Sequence, residues 1–262
     1  AMQRSLVGSE MCIRDRGRIV LLCDNSPMAL LLPTTFHSFM TSSEDMYNRF
    51  EMVSFVRMLR YLAVLTAVLL PGLYLAVIRF HTQVLPANLI LSFAEARAGV
   101  PFSSVVELVF LELSFELIRE AGVRMPGPLG NAIGIVGGLI IGQASVTANL
   151  VSPIVVIIVA LTALGSLAIP SEEFSAPFRL LKYLFLAAGG YLGLFGIVLG
   201  IYLVVSHLAG LLSFQVPYLT PFVRKDGSAD GGILRRPLRK MNRRPVFARR
   251  EQRIRLRRRT EE

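Results

Sequence analysis

Residues 120–170 read EAGVRMPGPLGNAIGIVGGLIIGQASVTANLVSPIVVIIVALTALGSLAIP, and no residue between Met125 and Ser171 carries a formal charge. Two long apolar runs lie inside that gap. A hydrocarbon core about 30 Å thick is crossed by roughly 20 apolar residues in helical form. The chain therefore reads as integral to a membrane, and its chemistry has to be sought in that setting.

The rest of the composition agrees. The chain has 262 residues, 53% of them hydrophobic, and no Trp; that is too apolar for one soluble domain of this size. The net charge of +10 is unevenly placed. Residues 224–262 hold 15 Lys and Arg against 5 Asp and Glu, so the whole excess sits in the tail. A basic tail can serve nucleic acid, or it can mark the cytosolic side and meet anionic lipid heads. Arg224 follows an apolar segment closely, and Phe247 alone among the tail's basic residues is no aromatic series for base stacking, which favours lipid over nucleic acid.

Other function classes have little to stand on. Cys12 and Cys23 are 11 apart with no companion Cys/His set, so neither a zinc site nor a disulfide framework is indicated. His37, His81 and His207 are scattered. There is no P-loop, no HExxH, no GxSxG and no Rossmann glycine pattern. No catalytic residue, metal ligand or cofactor is expected, and the chain does not read as an enzyme. Residues 1–16 are mixed and charged, unlike a signal peptide, and are set aside as a non-native leader.

Outward from the apolar gap, the elements are as follows. RIVLLCDNSPMALLL, residues 18–32, places two β-prone runs around the turn cluster Asp24-Asn25-Ser26-Pro27 and reads as a β-hairpin. A lone hairpin is marginal in water, so its sheet partners are expected upstream, in a longer protein of which this is the C-terminal part. Ser42 or Ser43 can cap a helix with Glu44 and Asp45 in its first turn. Residues 61–78 form a first span with Pro71-Gly72 inside it, read as a kink. Residues 132–149, 153–169 and 180–208 form three more. Gly134, Gly138 and Gly142 stand at GxxxG spacing, which suits close helix packing.

Residues 85–120 differ: they are apolar but carry Glu95, Arg97, Glu107, Glu112, Glu116, Arg119 and Glu120. Pro101 is expected to start a helix. On it Glu112, Glu116 and Glu120 share a face. Two readings stand side by side: an interfacial amphipathic helix with its acids in water, or a pore-lining or re-entrant helix. The candidate pore-lining residues are Glu107, Glu112 and Glu116, with Gln143 and Asn149 as secondary polar contacts.

Charge sets the topology. The basic tail and the Arg49, Arg57, Arg60 flank both belong inside, which requires an even number of spans. The loop Ser171-Glu172-Glu173 then lies outside. Arg124, Arg179 and Lys182 run against this rule. The expected fold is an all-α polytopic membrane protein of about four transmembrane helices plus an amphipathic or re-entrant helix, preceded by the terminal β-hairpin of a truncated soluble domain. The expected domains are a leader at 1–16, a remnant of a cytosolic domain at 17–50, a transmembrane domain at 51–223 and a basic cytosolic tail at 224–262.

Long motifs now carry a resemblance. REAGVRMPGPLGNAIGIVGGLIIGQASV followed by NLVSPIVVIIVALTAL resembles the A subunit of spore germinant receptors, the GerA family of endospore-forming Firmicutes. GRIVLLCDNSPMALLLPTTF, SEDMYNRFEMVSFVRMLRYLAVLTAVLLPGLYLAV, GVPFSSVVELVFLELSFELIREAG, LFGIVLG and FQVPYLTPF are similar to the family's pattern as well. The resemblance covers about residues 17–247. The tail departs from it, lacking an aromatic near Leu238-Arg239 and being unusually Arg-rich over 248–262. The resemblance implies a protein of the spore inner membrane that works with a B and a C subunit, senses nutrients, oligomerises, and conducts monovalent cations early in germination. A ring of Glu side chains would favour cations. It equally admits a non-conducting scaffold, like the stage V sporulation AF protein of the same family. A small-solute transporter is weaker, since no inverted repeat with paired broken helices is visible.

Overall fold

A computed structural model of the chain describes residues 19–22, 29–123, 128–220, 222 and 233–235. Strands β1 (Ile19–Leu22) and β2 (Ala29–Leu32) pair antiparallel, with Ile19 opposite Leu32 and Leu22 opposite Ala29. The hairpin read from the sequence is therefore present; its turn, and the leader at 1–16, lie outside the described residues. Helix α1 (Phe36–Met40) follows, with the Thr35 N–H donating to Ser38 Oγ at 3.1 Å. Ser42 precedes a single 3-10 turn, Ser43–Met46, with Glu44 and Asp45 at its start. The capping signal was thus real, but it belongs to this short turn. The long helix α2 (Phe50–Phe80) begins separately.

After a 3-10 turn at Thr82–Val84, five further α-helices follow among the described residues: α3 (Ala87–Arg97), α4 (Ser104–Val123), α5 (Pro128–Thr147), α6 (Pro153–Leu167) and α7 (Glu172–Gly210). Helix α4 begins at Ser104, past Pro101, and its first turn closes with Glu107 N–H on Ser103 O at 3.0 Å. Helix α6 starts where Pro is tolerated best, directly after Ser152. After α7, β3 (Leu212–Ser213) and β4 (Val216–Pro217) make a tight hairpin. Its two turn residues, Phe214 and Gln215, both have positive φ, as a two-residue turn of this hand requires.

Two helices are long and apolar enough to cross a membrane, α2 and α7 from Phe174 onward. With 31 residues α2 extends about 46 Å, more than the hydrocarbon thickness. Helix α6, of 15 residues, is apolar but extends only about 22 Å. The sequence count of four spans is thus met by two helices of spanning length among the described residues. Helix α7 is not continuous. Gly193 has φ 63 and ψ −146, a region essentially closed to residues with a Cβ, so two helical rods meet there. The break frees the Gly190 carbonyl, which accepts from Arg79 Nη1 at 3.1 Å.

The chain divides into two compact units: Ala1–Tyr61 with Leu203–Glu262, and Leu62–Tyr202. In the second unit the core joins Tyr74 and Leu75 of α2, Leu108 and Leu111 of α4, Val155 and Val159 of α6, and Leu186 of α7, together with Val151. Leu108 and Leu111, three apart, and Val155 and Val159, four apart, each fall on one side of their helix. Glycines set the closest approaches. A Cβ on Gly189 would strike the backbone of Gly72, and one on Gly72 would strike the Phe185 carbonyl. Gly72, read from the sequence as half of a kink, lies inside the continuous helix α2 and is a packing position.

In the first unit, polar and aromatic contacts join its two stretches of chain. Phe36 lies against Tyr61 and Tyr218, and Tyr61 against Phe222, with ring centroids 5.9–6.2 Å apart. His37 Nδ1 and the Tyr61 hydroxyl are 3.0 Å apart. Asp45 accepts from Arg57 Nε and Arg60 Nη1, each at 3.0 Å, while its carbonyl receives Arg235.

Candidate functional site

Helix α4 carries four charged side chains that turn inward on the second unit. Glu107 is fully buried. Its Oε1 pairs with Arg97 Nη2 of α3 at 3.2 Å, and its Oε2 accepts the Ser152 N–H at 2.9 Å. That N–H stands at the start of α6, where four backbone donors lack helical partners and the dipole favours negative charge. Glu107 therefore ties three helices. One turn and a half further, Glu112 Oε2 pairs with Lys182 Nζ at 2.5 Å. Glu116 Oε1 pairs with Arg179 Nη1 at 2.6 Å. Arg119 Nη1 donates to Ser166 Oγ of α6 at 2.7 Å.

The spacing explains the ladder. Glu112 and Glu116 are four apart on α4, and Arg179 and Lys182 are three apart on α7, so both pairs fall on one face of their helices. The order is crossed, 112 with 182 and 116 with 179, as antiparallel neighbours require. The Glu112–Lys182 pair is dry, with side chains 3% and 9% exposed, whereas Glu116 and Arg179 are about 30% exposed.

The opposite side of α4 is apolar and open: Val106, Phe110, Leu113 and Leu117 recur at four, three and four residues and are all exposed. Of the acids read as facing water, Glu112 is buried and Glu116 half-buried, while Glu120 is exposed. The helix is amphipathic, but Glu107 and Glu112 are turned into protein and the apolar stripe faces out. It also accounts for Arg179 and Lys182, which break the charge rule because they answer Glu116 and Glu112.

The other sequence candidates lie apart from the ladder. Gln143 is exposed on α5. Asn149 is exposed with φ 53, the left-handed conformation that closes a helix, where Asn substitutes for Gly. Among the described residues, neither hydrogen-bonds the three carboxylates. On α5, Gly138 would place a Cβ 3.1 Å from the Phe115 ring and Gly142 one 3.4 Å from Val156, while nothing among the described residues lies within 4 Å of one on Gly134. Sequence reasoning missed Arg97, Lys182, Arg179 and Ser152 as partners. A signal was available for two of them: Arg179 and Lys182 stand one helical turn apart in an apolar run, matching Glu112 and Glu116 in spacing and opposing them in sign.

The described residues thus form a mostly helical chain with two helices long and apolar enough to cross a membrane, and with buried acid–base pairs tying α4 to α3 and to α7. The Bacillus/Clostridium GerA spore germination protein family matches residues 15–247. The chain belongs to that family. It is similar to spore germination protein KA of Bacillus subtilis (strain 168), with 42% identity over 205 residues, covering 78% of this chain and 38% of the relative. It is similar to spore germination protein GerLA of Bacillus cereus, with 42% identity over 206 residues, covering 79% of this chain and 42% of the relative. The uncharacterized membrane protein YfkQ of Bacillus subtilis (strain 168) is 41% identical over 232 residues, covering 87% of this chain and 45% of the relative. The chain thus spans less than half the length of these relatives. No solved structure matches it.

Proposed function

We propose that the chain is the membrane portion of a nutrient germinant receptor A subunit, which triggers spore germination by conducting monovalent cations as a homo-oligomer in the spore inner membrane. In this reading α2 and α7 span together with segments 132–149 and 153–169, both ends face the cytosol, and residues 224–262 meet anionic lipid. The B and C subunits of the family are its partners, and it acts as a signal transducer and not as an enzyme.

The observation that carries the reading is the ladder on α4. Charge in hydrocarbon is costly, and an apolar side chain would fill the same space at less cost. Glu107 on one side of α4 and the Glu112 and Glu116 pair on another put three carboxylates against the largely apolar interior of the unit. Glu-lined paths favour cations. The family's germination role supports the same direction.

The test is cation flux across liposomes holding the full-length protein, compared with E107Q, E112Q and E116Q combined. A fall in flux is the expected result. Flux that persists moves the lining away from α4, toward Gln143, Asn149 and the Gly-rich helices. A second reading, the non-conducting scaffold, draws on the same geometry, because each carboxylate already has a cation of its own chain. Absence of flux from a verified oligomer, with partner subunits present, would select it.

A further inference from the structure

Lys182 stands in a stretch of α7 that is apolar on both sides, residues 180–190 holding no other charge. Its Nζ is 2.5 Å from Glu112 Oε2 and 5.0 Å from the centroid of the Tyr183 ring. Both members of the ion pair are more than nine-tenths buried. Two polar atoms beside them are buried without a hydrogen-bond partner, Glu112 Oε1 and the Tyr183 hydroxyl. An unanswered carboxylate oxygen at this depth is costly, and here it belongs to the group that holds the ammonium. The carboxylate thus offers more coordination than the ammonium uses.

One full negative charge opposite an aromatic face suits a monovalent cation. The carboxylate supplies the charge and the ring its negative face. A single carboxylate balances one positive charge and leaves a divalent ion half-neutralised, which favours the monovalent one. We propose that Glu112 and Tyr183 form a monovalent-cation site whose resident occupant is the chain's own Lys182 ammonium, and that withdrawing Lys182 opens the site to an inorganic cation such as potassium. The site stands without any statement about conduction. Its consequence rests on the conducting reading: Lys182 then acts as a tethered plug, and activation is the exchange of one ammonium for a mobile ion.

The site is tested on the purified full chain in detergent, by thermal unfolding in potassium against equal ionic strength of choline. The variants are K182M, which keeps the volume of the stem and removes the charge, and E112Q/K182M, which removes both charges. K182M should unfold about 5 °C higher in saturating potassium than in choline. Wild type and E112Q/K182M should show no such difference. If K182M folds only in potassium or methylammonium, the same conclusion follows.

A K182M protein that is indifferent to potassium overturns the proposal. So does one that neither ion restores while E112Q/K182M folds. Flux in liposomes separates the two claims. K182M stabilised by potassium but carrying no current keeps the site and discards conduction. Wild type that conducts, with K182M blind to potassium, keeps conduction and discards the plug.

Discussion

Glu107 shows how much one buried carboxylate can hold. It receives a guanidinium from α3 and a backbone N–H from the start of α6 while its own Cα sits on α4. Removing it leaves the buried Ser152 N–H without its acceptor and the half-buried Arg97 guanidinium without its counter-charge. E107A should therefore lower stability by about 3–5 kcal/mol, the range for breaking one side of a buried pair. E107Q, which can still accept from the Ser152 N–H, should cost clearly less. Unfolding of the two variants in detergent, followed by helical signal, checks the order. Little of this was legible beforehand. The sequence shows that Glu107 is an acid in an apolar run, but not that Ser152, 45 residues away, ends a turn beside it. Long-range partners follow from which helices pack together, and hydropathy is silent on that. The inward turn of Glu112 was hidden for the same reason, since a face of acids reads equally well toward water or toward a neighbour's cations.

At the scale of elements, the glycines divide by what they meet. Gly189 and Gly72 bring the backbones of α7 and α2 together, so G189A should destabilise by at least the roughly 1–3 kcal/mol of an overpacked core. Gly134 meets nothing within 4 Å among the described residues, and there the higher helix propensity of Ala should dominate, giving a gain of about 0.5–1 kcal/mol for G134A. Parallel melting of the two variants tests the contrast, and a large loss for G134A in the monomer would contradict it. The sequence drew attention to the regular Gly134, Gly138, Gly142 series instead. A GxxxG step says that a helix can be approached closely, not what approaches it, and Gly72 and Gly189 lie 117 residues apart with no pattern to join them. Other elements were plain from local signals: the hairpin from its turn cluster, the first span from 18 uncharged residues, and the start of α6 from Ser152-Pro153. The break at Gly193 was not, because one glycine among Gly189, Gly190, Gly196 and Gly200 has no mark of its own.

At the scale of the molecule, the number of crossings decides where each loop lies. With α2 and α7 alone crossing, everything between them stays on the outer side. With four crossings, the turn at residues 150–152 returns to the cytosol while the loop at 171–173 remains outside. A cysteine at exposed Leu150, in a chain whose Cys12 and Cys23 are replaced by Ser, distinguishes these. The proposed four-span arrangement predicts that a membrane-impermeant maleimide labels L150C only after the membrane is opened. Labelling from outside in intact cells would leave two crossings. Both arrangements place the tail inside, so the basic residues there do not separate them, and charge counting alone could not have chosen.

The two torsions at Gly193 have a mechanical meaning. An unbroken helix is stiff to twist, and turning one end turns the other. Helix α7 has the Lys182 ammonium and the Arg179 guanidinium on one rod and residues 194–210 on the next, with a joint that only a residue without a side chain can form. The Gly190 carbonyl beside that joint accepts from Arg79 of α2. The ion pairs to α4 are made by the first rod alone, so the register of Lys182 and Arg179 against Glu112 and Glu116 is not passed on as a helical phase to residues 194–210.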